Sequence, residues 1–155
     1  MSAKGEGPWL TGMTRYEGFP LALRVRPDAD GATNRAAFSQ LGVVTHQLAR
    51  VGDNGLPEAE YNESLEDFDL SLQAAMEGDA AGVVVLIETF AGKRNYYAYV
   101  NNCATFRSRI GALRQQFQQQ QLSIECRADS AWRFYERYRN DFPWDNSPRG
   151  GPATG

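Results

Sequence analysis

The only histidine of this chain, His46, is the first side chain that could do acid–base chemistry. An imidazole titrates near neutral pH, so it can act as a general base or as a metal ligand. On a strand, its neighbour Thr45 would point to the opposite face, and the sequence names no nucleophile beside it. We therefore interpret His46 as a structural or surface histidine and predict that the protein is not an enzyme. A small-molecule or enzyme site near His46 and Arg94 stays open as a third hypothesis.

Residue types that bind metals or phosphates do not occur in the spacing that such sites need. Cys103 and Cys126 stand alone rather than in the close pairs of a zinc site, and two cysteines are too few for a disulfide framework. We expect both to be reduced, partly buried thiols. The loop 52–55 lacks the lysine and the length of a phosphate-binding loop. The sequence predicts neither a metal nor a cofactor.

Eight acidic residues fall between Pro57 and Ala80, with no Lys or Arg among them. The helix dipole favours acids only near a helix N-terminus, and Glu63 and Asp67, four residues apart, repel each other. A solvated face is the simpler interpretation. Such a helix is also suited to meet a protein partner with a basic surface, because complementary charge speeds encounter, and a homodimer stays open as well. The candidate partner-binding residues are Glu58, Glu60, Glu63, Glu66, Asp67 and Asp69.

Two tyrosines, Tyr97 and Tyr99, would share one face of a strand, since alternate residues point the same way. RNA recognition motifs stack bases on aromatic residues placed in this manner. The match is incomplete, because Asn95 and Tyr96 stand where that motif has a basic residue and a glycine. Alternate tyrosines also commonly pack under a neighbouring element, here the last helix. Single-stranded RNA binding through Tyr97, Tyr99 and Arg94 is the alternative function.

Composition places the chain among ordinary globular proteins. Its 155 residues are 42% hydrophobic and 23% charged, which predicts one domain. The net charge of −3 disfavours general nucleic-acid binding, which needs a surplus of Lys and Arg. The most apolar run, 82–87, is too short to cross a membrane, and the first eight residues lack the apolar stretch of a signal peptide. We expect a cytoplasmic protein without membrane association.

Periodicity and turn residues predict the secondary structure. Alternating or β-branched runs indicate strands, and apolar residues at three- and four-residue steps indicate amphipathic helices. The predicted elements are strands 11–16, 21–26 and 41–51, helix 58–77, strands 82–91 and 95–100, helix 104–121, strand 122–127 and a last helix capped by Ser130.

After the opening hairpin, the predicted order is β-α-β-β-α-β. This order indicates an α+β protein with a ferredoxin-like core, an added N-terminal β-hairpin and a C-terminal helix. A mixed sheet, in which the hairpin inserts among the core strands, is the main rival. The single domain is predicted to span 9–144, with 1–8 and 147–155 as disordered tails.

Five short segments occur in a recognisable order: Thr45-His-Gln-Leu48, Asn54-Gly-Leu-Pro57, 61–69, 92–100, and Asp129-Ser-Ala-Trp132 with Tyr135. With them the stretch from Leu21 to Trp144 resembles a bacterial family catalogued as domain of unknown function 695. That family is similar in outline to the regulator of ribonuclease activity B, an acidic protein that binds and inhibits an endoribonuclease. The resemblance implies a ferredoxin-like fold and a protein-binding regulatory role, and it supplies no catalytic residues.

The acidic helix and the resemblance lead to one main hypothesis. We predict a non-catalytic module that regulates or inhibits a partner protein with a basic surface, either as a nuclease regulator or as a toxin immunity protein. The six acidic residues named above would steer the encounter.

Overall fold

A computed structural model describes residues 9–141. The strands are β1 Leu10–Tyr16, β2 Phe19–Val25, β3 Gln40–Gln47, β4 Gly82–Phe90, β5 Lys93–Val100 and β6 Gln121–Ala128. The helices are α1 Ala32–Ala37, α2 Ala59–Ser64, α3 Glu66–Glu77, α4 Cys103–Gln116 and α5 Arg133–Asp141. The predicted tails, 1–8 and 147–155, lie outside the described residues.

All six strands join one antiparallel sheet in the order β1-β2-β4-β5-β3-β6. The predicted α+β class is confirmed. The opening hairpin extends the sheet by pairing β2 with β4, for example Leu23 opposite Glu88, and does not insert among the later strands. Because β5 is antiparallel to both β3 and β4, those two strands run parallel to each other with β5 between them.

Both faces of the sheet are covered by helices. On one side, which we call the helix face, α3 and α4 pack mainly on β3 to β6 around Phe68, Leu72 and Ile110. On the opposite face, α5 packs around Trp132 and Tyr135. β4 runs between the two cores, and residues 83–87 are therefore buried at every position. The helix face of β1 and β2 extends beyond α3, and this geometry creates the candidate site.

The predicted helix 58–77 is two helices. Leu65, with φ −89° and ψ 1°, leaves the helical region and separates α2 from α3. The hydroxyl of Tyr61 in α2 accepts a hydrogen bond from the backbone N–H of Ala49 at 2.8 Å, so α2 is tied to the loop after β3. Apolar residues on both sides of Leu65 still face the sheet. The apolar residues therefore keep their three- and four-residue steps across the break, and the sequence pattern predicted a single helix.

Three other boundaries differ from the sequence prediction. β3 ends at Gln47 because the chain turns away, and Val51 instead makes an isolated bridge with Pro57. The sequence prediction has no helix between strands 21–26 and 41–51, but α1 begins at Ala32. The predicted helix 104–121 ends at Gln116 as α4, and β6 begins at Gln121, so the glutamines at this end belong to a helix end and a strand start rather than to one helix.

The last helix begins at an acidic cap. Asp129, not the predicted Ser130, accepts the backbone N–H groups of Arg133 and Phe134 at 3.0 and 3.1 Å. A carboxylate at this position satisfies helix N–H groups that have no partner inside the helix. Asp129 also accepts the hydroxyl of Tyr99 at 2.6 Å, so the cap fastens α5 to the sheet.

The two cysteines form a disulfide, and the prediction of reduced thiols is wrong. Cys103 is the first residue of α4 and Cys126 lies on β6, with their Cα atoms 5.8 Å apart. The bond exists because α4 packs back over β6, which brings together residues separated by 23 positions. A count of cysteines could not show that approach.

Candidate functional site

A cleft of about 710 Å³ opens on the helix face of the sheet beside the opening hairpin. Strands β1, β2 and β4 form its floor, and helices α2 and α3 form one wall. The cleft exists because α3 packs on β4 and β5 and leaves the two N-terminal strands uncovered on this face. Its volume is in the range that holds small ligands.

Arg94 of β5 lines the cleft in a fixed orientation. Its Nε donates to Thr89 Oγ1 at 2.9 Å, and its Nη2 donates to Asn62 Oδ1 at 2.9 Å. Both acceptors are neutral groups. Among residues 9–141, no carboxylate lies within 4.0 Å of this guanidinium. Arg94 is therefore a positioned cation without a counter-ion from the described part of the chain.

Asp69 of α3 holds the wall of the cleft against the sheet. Its Oδ1 accepts the hydroxyl of Tyr96 at 2.7 Å, and its Oδ2 accepts Gln73 Nε2 at 2.8 Å. Oδ2 also lies 4.0 Å from Arg24 Nη1. Burial, together with the negative charge of Asp69, raises the pKa of Tyr96, so this hydroxyl stays protonated and continues to donate.

The eight acidic residues of this region divide into two groups. Four are paired with arginines: Glu58 with Arg50, Asp69 with Arg24, Glu77 with Arg26 and Asp79 with Arg109. The other four are Glu60, Glu63, Glu66 and Asp67, which we call the acidic ridge. All four are exposed, and none has a cationic side chain from residues 9–141 within 4.0 Å. Of the six predicted partner-binding residues, Glu58 and Asp69 are therefore engaged within the protein, and the acidic ridge is available.

His46 lies away from the cleft, although it is directly opposite Arg94 in the pairing of β3 with β5. Its side chain is fully buried, with its ring centroid 4.7 Å from that of Phe68. Nε2 makes a 2.8 Å hydrogen bond with Gln120 Oε1, and Nδ1 has no partner among residues 9–141. Burial lowers the pKa of His46, because a charged imidazole would be desolvated there. Of the two residues in the third hypothesis, only Arg94 lines the cleft.

The predicted RNA-binding residues are on different faces of the sheet. Tyr99 is fully buried and stacks on Trp132 with ring centroids 3.9 Å apart. Tyr97 stacks on Phe134 at 4.5 Å, so both rings pack under α5. Arg94 points to the helix face instead. The structure does not bring Arg94 together with the two tyrosines.

Sequence reasoning missed four polar residues of the cleft: Thr11, Arg24, Asn62 and Thr89. A partial signal was present, since Asn62, Glu66 and Asp69 recur at four- and three-residue steps beside the apolar stripe. That spacing marks a polar stripe on one side of a helix. No local pattern, however, indicates that β2 lies next to α3.

Within 9–141, no three His, Cys, Asp or Glu side chains are grouped so that they could hold a metal ion. No helix in the same span has the length and apolar character needed to cross a membrane.

The sheet, the cleft and the acidic ridge define a class of small α+β domain with an open cleft beside an acidic helical surface. The chain belongs to the family described as Family of unknown function (DUF695), whose model matches residues 8–138. The family inferred from the sequence is thus confirmed. No curated protein and no solved structure matches this chain. Two of the segments that carried the resemblance, 61–69 and 92–100, meet at the cleft through residues such as Asn62 and Arg94.

Proposed function

We propose that this protein is a non-catalytic binding module that regulates or inhibits a partner protein with a basic surface. One observation carries the proposal. Four acidic residues of the 58–79 region are paired with arginines of the same chain, whereas the four residues of the acidic ridge have no such partner among residues 9–141. Unpaired like charges close together on a helix are unfavourable in the free protein. A basic partner would relieve that repulsion.

An exposed leucine supports the same surface. Leu70 is 57% exposed and lies about one helical turn after Glu66 and Asp67. Protein interfaces commonly combine an apolar contact at the centre with charged residues around it. Leu70 is suited to make that central contact, and the acidic ridge is suited to steer the approach.

The chemistry of the partner follows from the charge of the ridge. Nucleases and nucleic-acid-targeting toxins carry basic surfaces, because they bind phosphates. The outline similarity of the family to the regulator of ribonuclease activity B, which is an expectation from the sequence alone, favours a nuclease, and an immunity role against a toxin fits the same charge pattern. Function is nevertheless a property of the site and not of the fold, so the ridge is the part to test.

For the fold itself, we propose the ferredoxin-like arrangement for the unit from β3 to β6. The strand order β4-β5-β3-β6, with every neighbouring pair antiparallel, supports this assignment. The helical segments connect β3 to β4 and β5 to β6, as in a split β-α-β motif. A crystal structure with another strand order in this unit would contradict it.

The experiment that tests the function is affinity capture with quantitative mass spectrometry. The wild-type chain is compared with a variant in which the ridge is reversed: Glu60→Lys, Glu63→Lys, Glu66→Lys and Asp67→Lys. The matched control reverses four exposed acids elsewhere and gives the same change in net charge: Asp28→Lys, Asp53→Lys, Glu125→Lys and Asp141→Lys.

We expect the ridge variant to lose one specific basic partner that the wild type and the control both retain. The association rate of the purified pair should fall as salt is raised, because screening weakens steering between exposed charges. Equal capture by the ridge variant and the wild type would remove the support for this function. So would a captured partner whose association does not depend on salt.

A further inference from the structure

We infer that the cleft binds a small zwitterion, a ligand that carries a carboxylate and an ammonium group, such as an α-amino acid or a short peptide. This inference goes beyond the proposed protein-binding role. It rests on Arg94 and on the walls of the cleft, and not on the exposed ridge as a whole.

The carboxylate end is defined by Arg94. A guanidinium has five N–H donors, and two groups of Arg94 are used on the neutral acceptors Thr89 and Asn62. Its remaining donors can form the paired hydrogen bonds that a carboxylate accepts from arginine. The side chain is half-buried and lacks a counter-ion from residues 9–141, which is unfavourable for a charged group. A bound carboxylate would supply the missing negative charge.

The ammonium end is defined by acidic residues on the same wall. Glu63 and Glu66 line the cleft, and neither is paired with a cation from the described residues. Asn62, which holds Arg94, lies near the end of α2, and Glu66 begins α3 directly after the break at Leu65; both line the cleft. A positioned cation and an unpaired carboxylate therefore line the same cleft, where they can meet the two charges of an α-amino acid.

The charge of the lining favours a zwitterion over a simple anion. Two arginines, Arg24 and Arg94, and three acids, Glu63, Glu66 and Asp69, line the cleft, so the lining carries a net charge of 2 − 3 = −1. An anion alone would meet net repulsion. Apolar side chains of the sheet, including Ile87, lie on the floor and can contact an apolar part of the ligand.

The test measures ligand binding to the full chain by thermal shift and isothermal titration calorimetry. One arm uses the free α-amino acids, and a second uses di- and tripeptides, so the two sources of a zwitterion are distinguished. Each ligand found is then compared with its N-acetylated form and its amidated form, which lack one charge each. We expect an uncapped ligand to raise the Tm and either cap to weaken binding by about tenfold or more. If neither arm binds at millimolar concentration, or if capped and uncapped forms bind equally, the inference is wrong.

Variants connect the binding to these residues. Arg94→Gln and Glu66→Gln should each weaken the affinity by about 10- to 100-fold. Arg114→Gln on α4 and Glu60→Gln outside the cleft are the matched controls and should bind as the wild type does. Arg94→Lys keeps the positive charge but lacks the planar guanidinium, so its ligand affinity should lie between those of the wild type and Arg94→Gln. This variant also allows the test if Arg94→Gln does not fold. Wild-type affinity in both Arg94 variants would overturn the site.

The two proposals can fail separately. Arg94→Gln leaves all four carboxylates of the acidic ridge in place, so it should weaken zwitterion binding by about 10- to 100-fold and leave partner capture unchanged. The double variant Glu60→Lys with Asp67→Lys changes only ridge residues outside the cleft, so reduced capture by this variant tests the protein-binding role alone.

Discussion

The ring of Tyr99 lies parallel to the indole of Trp132, with the two centroids 3.9 Å apart and the planes 8° from parallel. Trp132 holds a φ of 56°, a left-handed backbone that bulky residues rarely adopt. Its Nε1 donates to the carbonyl oxygen of Phe38 at 2.8 Å, and Tyr135 packs edge-on against the ring. This packing outweighs a backbone strain of about 1–3 kcal/mol. The pair therefore docks α5 onto the sheet.

Replacing the indole should strongly destabilise the fold. We expect Trp132→Ala to lower the free energy of unfolding by about 3–5 kcal/mol, because a fully buried aromatic side chain is lost and a cavity remains. Urea denaturation followed by circular dichroism gives the value. Arg137→Ala, an exposed change on the same helix, is the control and should stay within about 0.5 kcal/mol. A small effect at Trp132 would mean that α5 is not docked in solution.

Single-stranded RNA should not bind through the strand tyrosines. Tyr99 has no exposed surface, and Phe134 stacks on one face of Tyr97, so the two rings cannot stack two successive bases. Fluorescence anisotropy with mixed-sequence oligonucleotides at low salt should show no binding. The control is Tyr16→Ala, which changes an exposed tyrosine of β1. RNA binding that is lost in Tyr97→Ala and kept in Tyr16→Ala would instead favour the RNA alternative.

Stability should fall as the pH drops below the ordinary imidazole pKa of about 6.5. Burial lowers the pKa of His46 in the folded state, and protonation would add an N–H at Nδ1 with no acceptor among residues 9–141. Below pH 6.5 the unfolded chain therefore binds more protons than the folded chain. The contribution of neutral His46 to the free energy of unfolding is complete above pH 6.5 and is lost as the pH falls towards the pKa of His46 in the folded state.

The check compares urea midpoints of the wild type and His46→Gln between neutral pH and pH 5. The variant should lose less stability over this window, because Gln does not titrate. Parallel pH profiles of the two proteins would show that His46 does not contribute. Gln120→Ala, which removes the partner of Nε2 and keeps the histidine, should retain the pH dependence.

The disulfide should contribute to stability. Cys103→Ser with Cys126→Ser removes a bond that closes a loop between positions 23 residues apart. We expect a loss of about 2–4 kcal/mol in the free energy of unfolding. Thiol titration of the wild type in denaturant without reductant should find no free thiol. Two titratable thiols in the purified protein would contradict the bond.

The sequence by itself determined the α+β class, the family and every strand, and of the helices it missed α1. Alternation along β2 and β6, and three- and four-residue steps along α3 and α4, follow from which side of each element is buried, so they are readable without a partner. The acidic surface was also readable, because a run of eight acids without a base does not depend on packing. Local cues failed at boundaries such as Leu65 and Gln47, where a tertiary contact and not a turn residue ends the element.

Only the tertiary structure decided which of those residues are free to act. The burial of Tyr99 under Trp132, the separation of His46 from the cleft and the bond between Cys103 and Cys126 all depend on how helices lie on the sheet. The same holds for the acidic residues: an arginine from a distant strand engages Asp69, whereas the acidic ridge has no cationic partner in the described part of the chain. Distances between residues far apart in sequence are set by strand order and packing, and a periodic pattern carries no information about them.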